Sequence, residues 1–205
     1  MNVGTRLTKT GALAHLKTLD DVVEDYIQRF QNKFEDEDLN HSRGHDDPVV
    51  DFCREAPTLE IAIRRACDGR RRDGKLFQKG SCVRTVSKEQ MARDLLKHVL
   101  AIKRATDFEQ LYEIVRANSP WGIGPMTIYA VTERIGAAMK IKPKHFLYLH
   151  AGPASGWKRL TGKQPPHRVP HKDLPPALRM IELYHVENLL CEYREALHPG
   201  MMEGR

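Results

Sequence analysis

The chain has 205 residues, 40% hydrophobic and 29% charged, with a formal net charge of +6. That length supports one domain with a proper core, and the composition argues against wholesale disorder. No run of about 18 apolar residues occurs, which excludes a membrane-spanning helix and a membrane partner of that kind; residues 1–10 lack the apolar core of a secretion signal, so a cytoplasmic location is expected.

The charge is segregated along the chain. Residues 20–60 hold thirteen acids against four bases, and residues 64–104 hold thirteen bases against four acids. Between Arg134 and Lys172 there are nine Lys or Arg and no Asp or Glu. A basic middle and late chain behind an acidic N-terminal part suits a polyanion partner; the alternative is that opposite segments neutralise one another within the fold. Four cysteines, Cys53, Cys67, Cys82 and Cys191, lack C-x-x-C spacing and read as free thiols.

In chain order, Thr18-Leu19-Asp20-Asp21 opens a helix whose apolar face carries Val22, Val23, Tyr26, Ile27 and Phe30. Residues 35–47 are polar and charged, a loop by composition. Asp47-Pro48 reads as an N-cap followed by an N1 proline, starting a short helix to about Glu55. Thr58 caps another, with Leu59, Ala62, Ile63 and Ala66 at helical spacing. Residues 69–84 form a basic loop with turn glycines. Ser87 to Gln90 reads as a capping box ahead of one long helix with Met91, Leu95, Leu96, Val99, Leu100 and Ile102 in a broad stripe. Asp107 caps the amphipathic stretch Phe108 to Ala117. A further helical pattern follows from Met126 to about Met139. Residues 143–149 are ambiguous between strand and helix, Ala151 to Gly162 holds a short helix with Trp157, and a last helix runs from about Tyr184 to Leu197. The expectation is an all-α protein, a single multi-helix domain over residues 1–205 with seven to nine helices and no internal repeat.

The most specific segment is Asn118 to Thr127, N-S-P-W-G-I-G-P-M-T, a tight Gly-apolar-Gly turn between two helical stretches. Glycines there permit φ values that a Cβ penalises and let a phosphate approach the backbone. Ile123 between them would point inward as an anchor. The N–H groups after the turn open a helix whose positive end attracts anions. Two helices joined in this way over residues 108–139 form a helix-hairpin-helix.

With Thr127 three residues after the second glycine, this G-I-G-P turn resembles the helix-hairpin-helix of the DNA glycosylase superfamily. That resemblance implies a glycosylase-like all-α scaffold and a DNA partner, duplex by expectation. Gly122, Ile123, Gly124 and Thr127 would meet a phosphate, with a monovalent cation bridging the turn's carbonyls and no other cofactor. It also implies recognition or excision of a modified or damaged base, as in DNA repair. Glycosylases of this type place an aspartate beyond the turn, where this chain reads Lys142-Pro143-Lys144-His145-Phe146-Leu147-Tyr148; bifunctional members add a lysine where Pro125 and Met126 stand. Both usual catalytic groups are absent, which leaves enzymatic activity open. The chain also resembles a group of bacterial proteins without assigned activity that pair a G-I-G turn with a Y-L-H-A-G segment, here Tyr148 to Gly152, and share the L-L-C-E-Y stretch at Leu189 to Tyr193.

Other residues carry candidate chemistry. His150, with Tyr148, would serve as general acid or base near neutral pH; both equally suit half-buried residues that fix a loop. Trp157 and Arg159 would stack a base and hold a phosphate, with Lys158 beside them. Arg71, Arg72, Lys75 and Lys79 would contact phosphates from a basic arm, with Phe77 as a wedge. Glu133 is expected to pair with Arg134 or Lys140. His41, His45, Asp46 and Asp47 lie close together, but in an acidic loop without fixed ligand spacing no metal is expected. Three functions therefore stand side by side: a base-recognising or base-excising protein, a non-enzymatic DNA-binding module, and a protein-interaction domain in which the hairpin only packs two helices. Sequence leaves the oligomeric state open.

Overall fold

The computed structural model describes residues 15–29, 47–77 and 83–202. Their contacts divide into two compact units, one within Asn32–Pro143 and one within Met1–Gln31 and Lys144–Arg205. Helices dominate both, and the described residues contain one two-stranded sheet. The all-α expectation holds. No helix among the described residues is long and apolar enough to cross a membrane.

After α1 (Leu19–Arg29), which belongs to the other unit, the Asn32–Pro143 unit contains α2 (Pro48–Arg54), α3 (Leu59–Asp68), α4 (Thr85–Lys97), α5 (Val99–Arg104), α6 (Phe108–Ala117) and α7 (Pro125–Met139). Three of these helices start where a side chain satisfies an orphan amide of the first turn. Asp47 accepts from Val49 N (2.9 Å), Thr58 from Ile61 N (3.3 Å) and Asp107 from Gln110 N (2.8 Å). The central element is α7: every residue from Thr127 to Gly136 is buried, and α2, α3 and α6 pack around it. Such a helix needs apolar residues on all sides, and the run Ile128-Tyr129-Ala130-Val131 supplies them.

The long helix expected across residues 87–102 is broken. α4 begins at Thr85, before the Ser87 box, with no side-chain cap at Arg84. It ends at His98, whose N–H turns to the carbonyls of Leu95 and Leu96, and α5 resumes at Val99. The apolar stripe narrows accordingly: Met91, Leu95 and Ile102 are buried, Leu96 and Val99 half-buried, and Leu100 exposed.

In the other unit, α1 is followed after Lys144 by β1 (Phe146–Tyr148), α8 (Ala151–Thr161), β2 (Arg168–Pro170), a 3-10 turn at His171–Asp173, α9 (Pro176–Arg179), α10 (Leu183–Glu192) and a last 3-10 turn at Pro199–Met202. Thr18 and Asp21 close a reciprocal capping box on α1, Asp21 N donating to Thr18 Oγ1 (3.1 Å) and Thr18 N to Asp21 Oδ2 (2.8 Å). Those backbone donors hold the Asp21 carboxyl below its usual range. Phe30, expected on α1's apolar face, lies outside the described residues. β1 and β2 pair antiparallel, with Leu147 opposite Val169 and both buried. α10 ends five residues before the expected Leu197, in a turn at Tyr193.

α1 is tied to α10 and its C-cap by two polar contacts: Tyr26 Oη lies 3.0 Å from His185 Nδ1 in the interior, and Tyr193 Oη donates to half-buried Asp25 (2.6 Å). Burial, with the Asp25 carboxylate, drives the Tyr193 hydroxyl well above the usual tyrosine range.

The thiols give a direct check on burial. Cys53 and Cys67 are buried, and desolvation pushes both up to about 12, whereas Cys191 is exposed. Iodoacetamide at about pH 8 should therefore alkylate Cys191 in the folded chain and spare Cys53 and Cys67 until unfolding, because only thiolates react. Peptide mapping reads this out; early labelling of Cys53 or Cys67 would contradict the packing.

Candidate nucleic-acid interface

The corner between α6 and α7 is built by closing one helix and opening the next. α6 ends with its last carbonyls taken by side chains: Asn118 Nδ2 donates to Ile114 O (2.8 Å) and Ser119 Oγ to Val115 O (2.7 Å). Ile123 N then donates to Pro120 O (3.2 Å) across a turn in which Gly122 has φ +88°. That is a type II arrangement, with Trp121 at its second position and a glycine where φ must be positive. Ile123 turns inward, 9% exposed, as the anchor. Gly124 caps α7 through its carbonyl, which accepts from Thr127 N (3.0 Å) and Ile128 N (3.1 Å), and Pro125 occupies the first helical position. Thr127 itself is buried.

The outer face of this corner is open. A Cβ at Gly122 or Gly124 would meet nothing within 4 Å. Among the described residues no backbone acceptor takes the N–H groups of Gly122, Gly124 or Met126. The first turn of α7 carries neither a capping side chain nor an acid. Trp121, which sequence reasoning passed over, is 99% exposed. The signal was present: the second position of a tight turn points to solvent, and it holds the largest apolar side chain available.

The two cations of α7 itself, Arg134 and its C-cap Lys140, stand away from the corner. From Ala117 to Thr132 no residue is charged. Arg134 is 2% exposed and donates through Nε and Nη2 to Asp47 Oδ2 (2.9 and 2.7 Å) and through Nη1 to Ala66 O (3.1 Å). Lys140 sits at the other end of α7, roughly 24 Å along the helix from Gly124. Of the basic arm, the described residues 69–77 fold into a small turn in which each arginine has an acidic partner: Arg70 with Asp68 (3.3 Å), Arg71 with Asp73, and Arg72 with Glu55. These pairs are exposed and weak, so a phosphate could compete for the arginines. Lys75 is exposed and Phe77 half-buried, while Lys79 lies outside the described residues.

In the unit that contains α8, Tyr148 is buried in β1 and faces the His167 ring edge-on, 6.0 Å between centroids. His150 is buried just ahead of α8, with Nε2 3.4 Å from Glu187 Oε1. This places an imidazole and a carboxylate in one interior contact. Trp157, read from sequence as a stacking platform, is 8% exposed and packs inside. Arg159 pairs with Glu195 (2.8 Å), and Lys158 is exposed in the last turn of α8. Of the residues weighed as metal ligands, His41, His45 and Asp46 lie outside the described residues, and Asp47 serves α2 and Arg134.

No protein family's sequence profile matches the chain, and neither a curated protein nor a solved structure matches it significantly.

Proposed function

We propose that this is a DNA-binding protein that grips the phosphate backbone through the Pro120–Met126 corner, as a helix-hairpin-helix does. The observation that carries the reading is the corner's outer face: among the described residues no backbone acceptor takes the amides of Gly122, Gly124 and Met126, a Cβ added at either glycine meets nothing within 4 Å, and the first turn of the 15-residue helix has neither an acid nor a capping side chain. Carbonyls of Trp121, Gly122 and Ile123 take no backbone N–H among the described residues, so these oxygens would hold a monovalent cation between turn and phosphate. Contacts of this kind position a protein without reading sequence.

The reading is one of attachment rather than base excision. Both residues considered for catalysis, Tyr148 and His150, are buried, and the carboxylate and lysine used by glycosylases are absent from the segments after the turn.

Gly124→Leu tests it. Gly124 has φ −82° and open space around it, so a side chain fits without strain. The variant should keep its helical circular dichroism yet bind a labelled duplex at least about tenfold more weakly, a loss of roughly 1.4 kcal/mol. Its salt dependence should match that of the parent chain, because the slope counts phosphates neutralised by Lys and Arg and the corner has neither. Unchanged affinity in Gly124→Leu would remove the corner from the interface.

A further inference from the structure

We propose that Trp121 stacks on an unpaired nucleobase beside the phosphate held by the corner, so that the preferred ligand is a duplex with an extrahelical base. This rests on the DNA-binding reading and specifies which DNA that surface selects. A tryptophan left 99% exposed forgoes the largest burial any side chain can contribute. Its backbone is constrained. Pro120 restricts the backbone on one side, and on the other Gly122 leads into the Ile123 N to Pro120 O hydrogen bond that closes the turn. The indole is thus presented on a short, fixed corner.

Two adjacent features define the partner. A flat apolar ring stands one residue from amide groups that favour an anion, and no charged residue lies between Ala117 and Thr132. A protein pocket would supply the ring's complement, with an anion only from a separate carboxylate side chain. An anionic lipid surface would favour lysine or arginine beside the ring, and the corner has none. A nucleotide offers a phosphate and a π-face on one covalent unit. In an intact duplex both faces of each base are already stacked and only the edges show in the grooves. A base without its pairing partner exposes the face that an indole can cover.

The chain contains two tryptophans, and Trp157 is buried away from an added ligand, so a ligand-dependent change in intrinsic fluorescence reports on Trp121 over a constant background. Titration should use an intact duplex and the same duplex carrying one bulged nucleotide. The bulged duplex should bind about tenfold more tightly and quench the emission. Trp121→Ala should erase the quench and the preference for the bulged duplex; Trp121→Phe should retain part of the preference. If the parent binds both duplexes equally, or if Trp121→Ala keeps the preference, the stacking inference is wrong and the phosphate grip stands. If neither duplex binds, the DNA reading falls and takes the inference with it.

Discussion

Arg134→Met should destabilise the Asn32–Pro143 unit by ~3–5 kcal/mol, the usual cost of stranding one member of a buried ion pair. Methionine nearly preserves the length and packing of the arginine stem, so the loss isolates the guanidinium. Asp47 is fully buried and already serves two elements, capping α2 through Oδ1 and receiving Arg134 at Oδ2. Without the guanidinium its charge faces the interior of the unit, and the Ala66 carbonyl at the end of α3 loses its donor. Asp47→Asn is the complementary change. Asparagine caps nearly as well as aspartate, so its cost measures the unpaired cation. The double variant Asp47→Asn/Arg134→Met should cost clearly less than the two single changes summed, because neither partner is left charged and alone. Amide hydrogen exchange resolved over residues 47–143 measures this without assuming that the whole chain unfolds in one step. A loss below about 1 kcal/mol in Arg134→Met would mean that the pair is hydrated and behaves as a surface contact.

The same pair shows where the sequence could be read and where it could not. Asp47 was legible as a cap because Asp-Pro is a local signal, settled within three residues. Its ion-pair partner lies 87 residues away, and no local pattern announces it. Sequence offered Glu133 either Arg134 or Lys140, whereas the guanidinium of Arg134 donates to Asp47 and to the Ala66 carbonyl. Arg134 and Lys140 illustrate the same limit. Charge adjacent in sequence becomes distant along a helix, and Arg134 was spent on the interior. The corner itself was readable, since glycine spacing, the inward Ile123 and the proline at the first helical position are all local. The strands were less so: residues 143–149 stayed open between strand and helix and β2 went unread, because three residues are too few to show alternation and the pairing spans about twenty residues of helix and loop. The helix at Ala151–Thr161 was anticipated, but neither the burial of Trp157 within it nor its packing against α10, which arrives later in the chain, was legible.

That late helix sets the second large effect. Gly156→Ala should destabilise the unit containing α8 by ~3 kcal/mol, at the upper end of overpacking costs. Alanine normally gains about 1 kcal/mol over glycine inside a helix, so the substitution tests whether packing outweighs propensity. A Cβ on Gly156 would press into the Leu190 carbonyl oxygen, 2.7 Å from its carbon and 3.0 Å from its Cα. Those are backbone atoms of α10, fixed by that helix's own hydrogen bonds, so relief requires the two helices to separate. Gly152 meets α10 one turn earlier, but there the nearest atom is the Sγ of exposed Cys191. A side chain can rotate away, so Gly152→Ala should cost at least about 1 kcal/mol less than Gly156→Ala. Separation of α8 from α10 would also draw His150 away from Glu187, now 3.4 Å apart. Hydrogen exchange over residues 144–202 should therefore quicken at both helices in Gly156→Ala and change little in Gly152→Ala. A Gly156→Ala protein as stable as its parent would show that α8 and α10 approach less closely than the glycine requires.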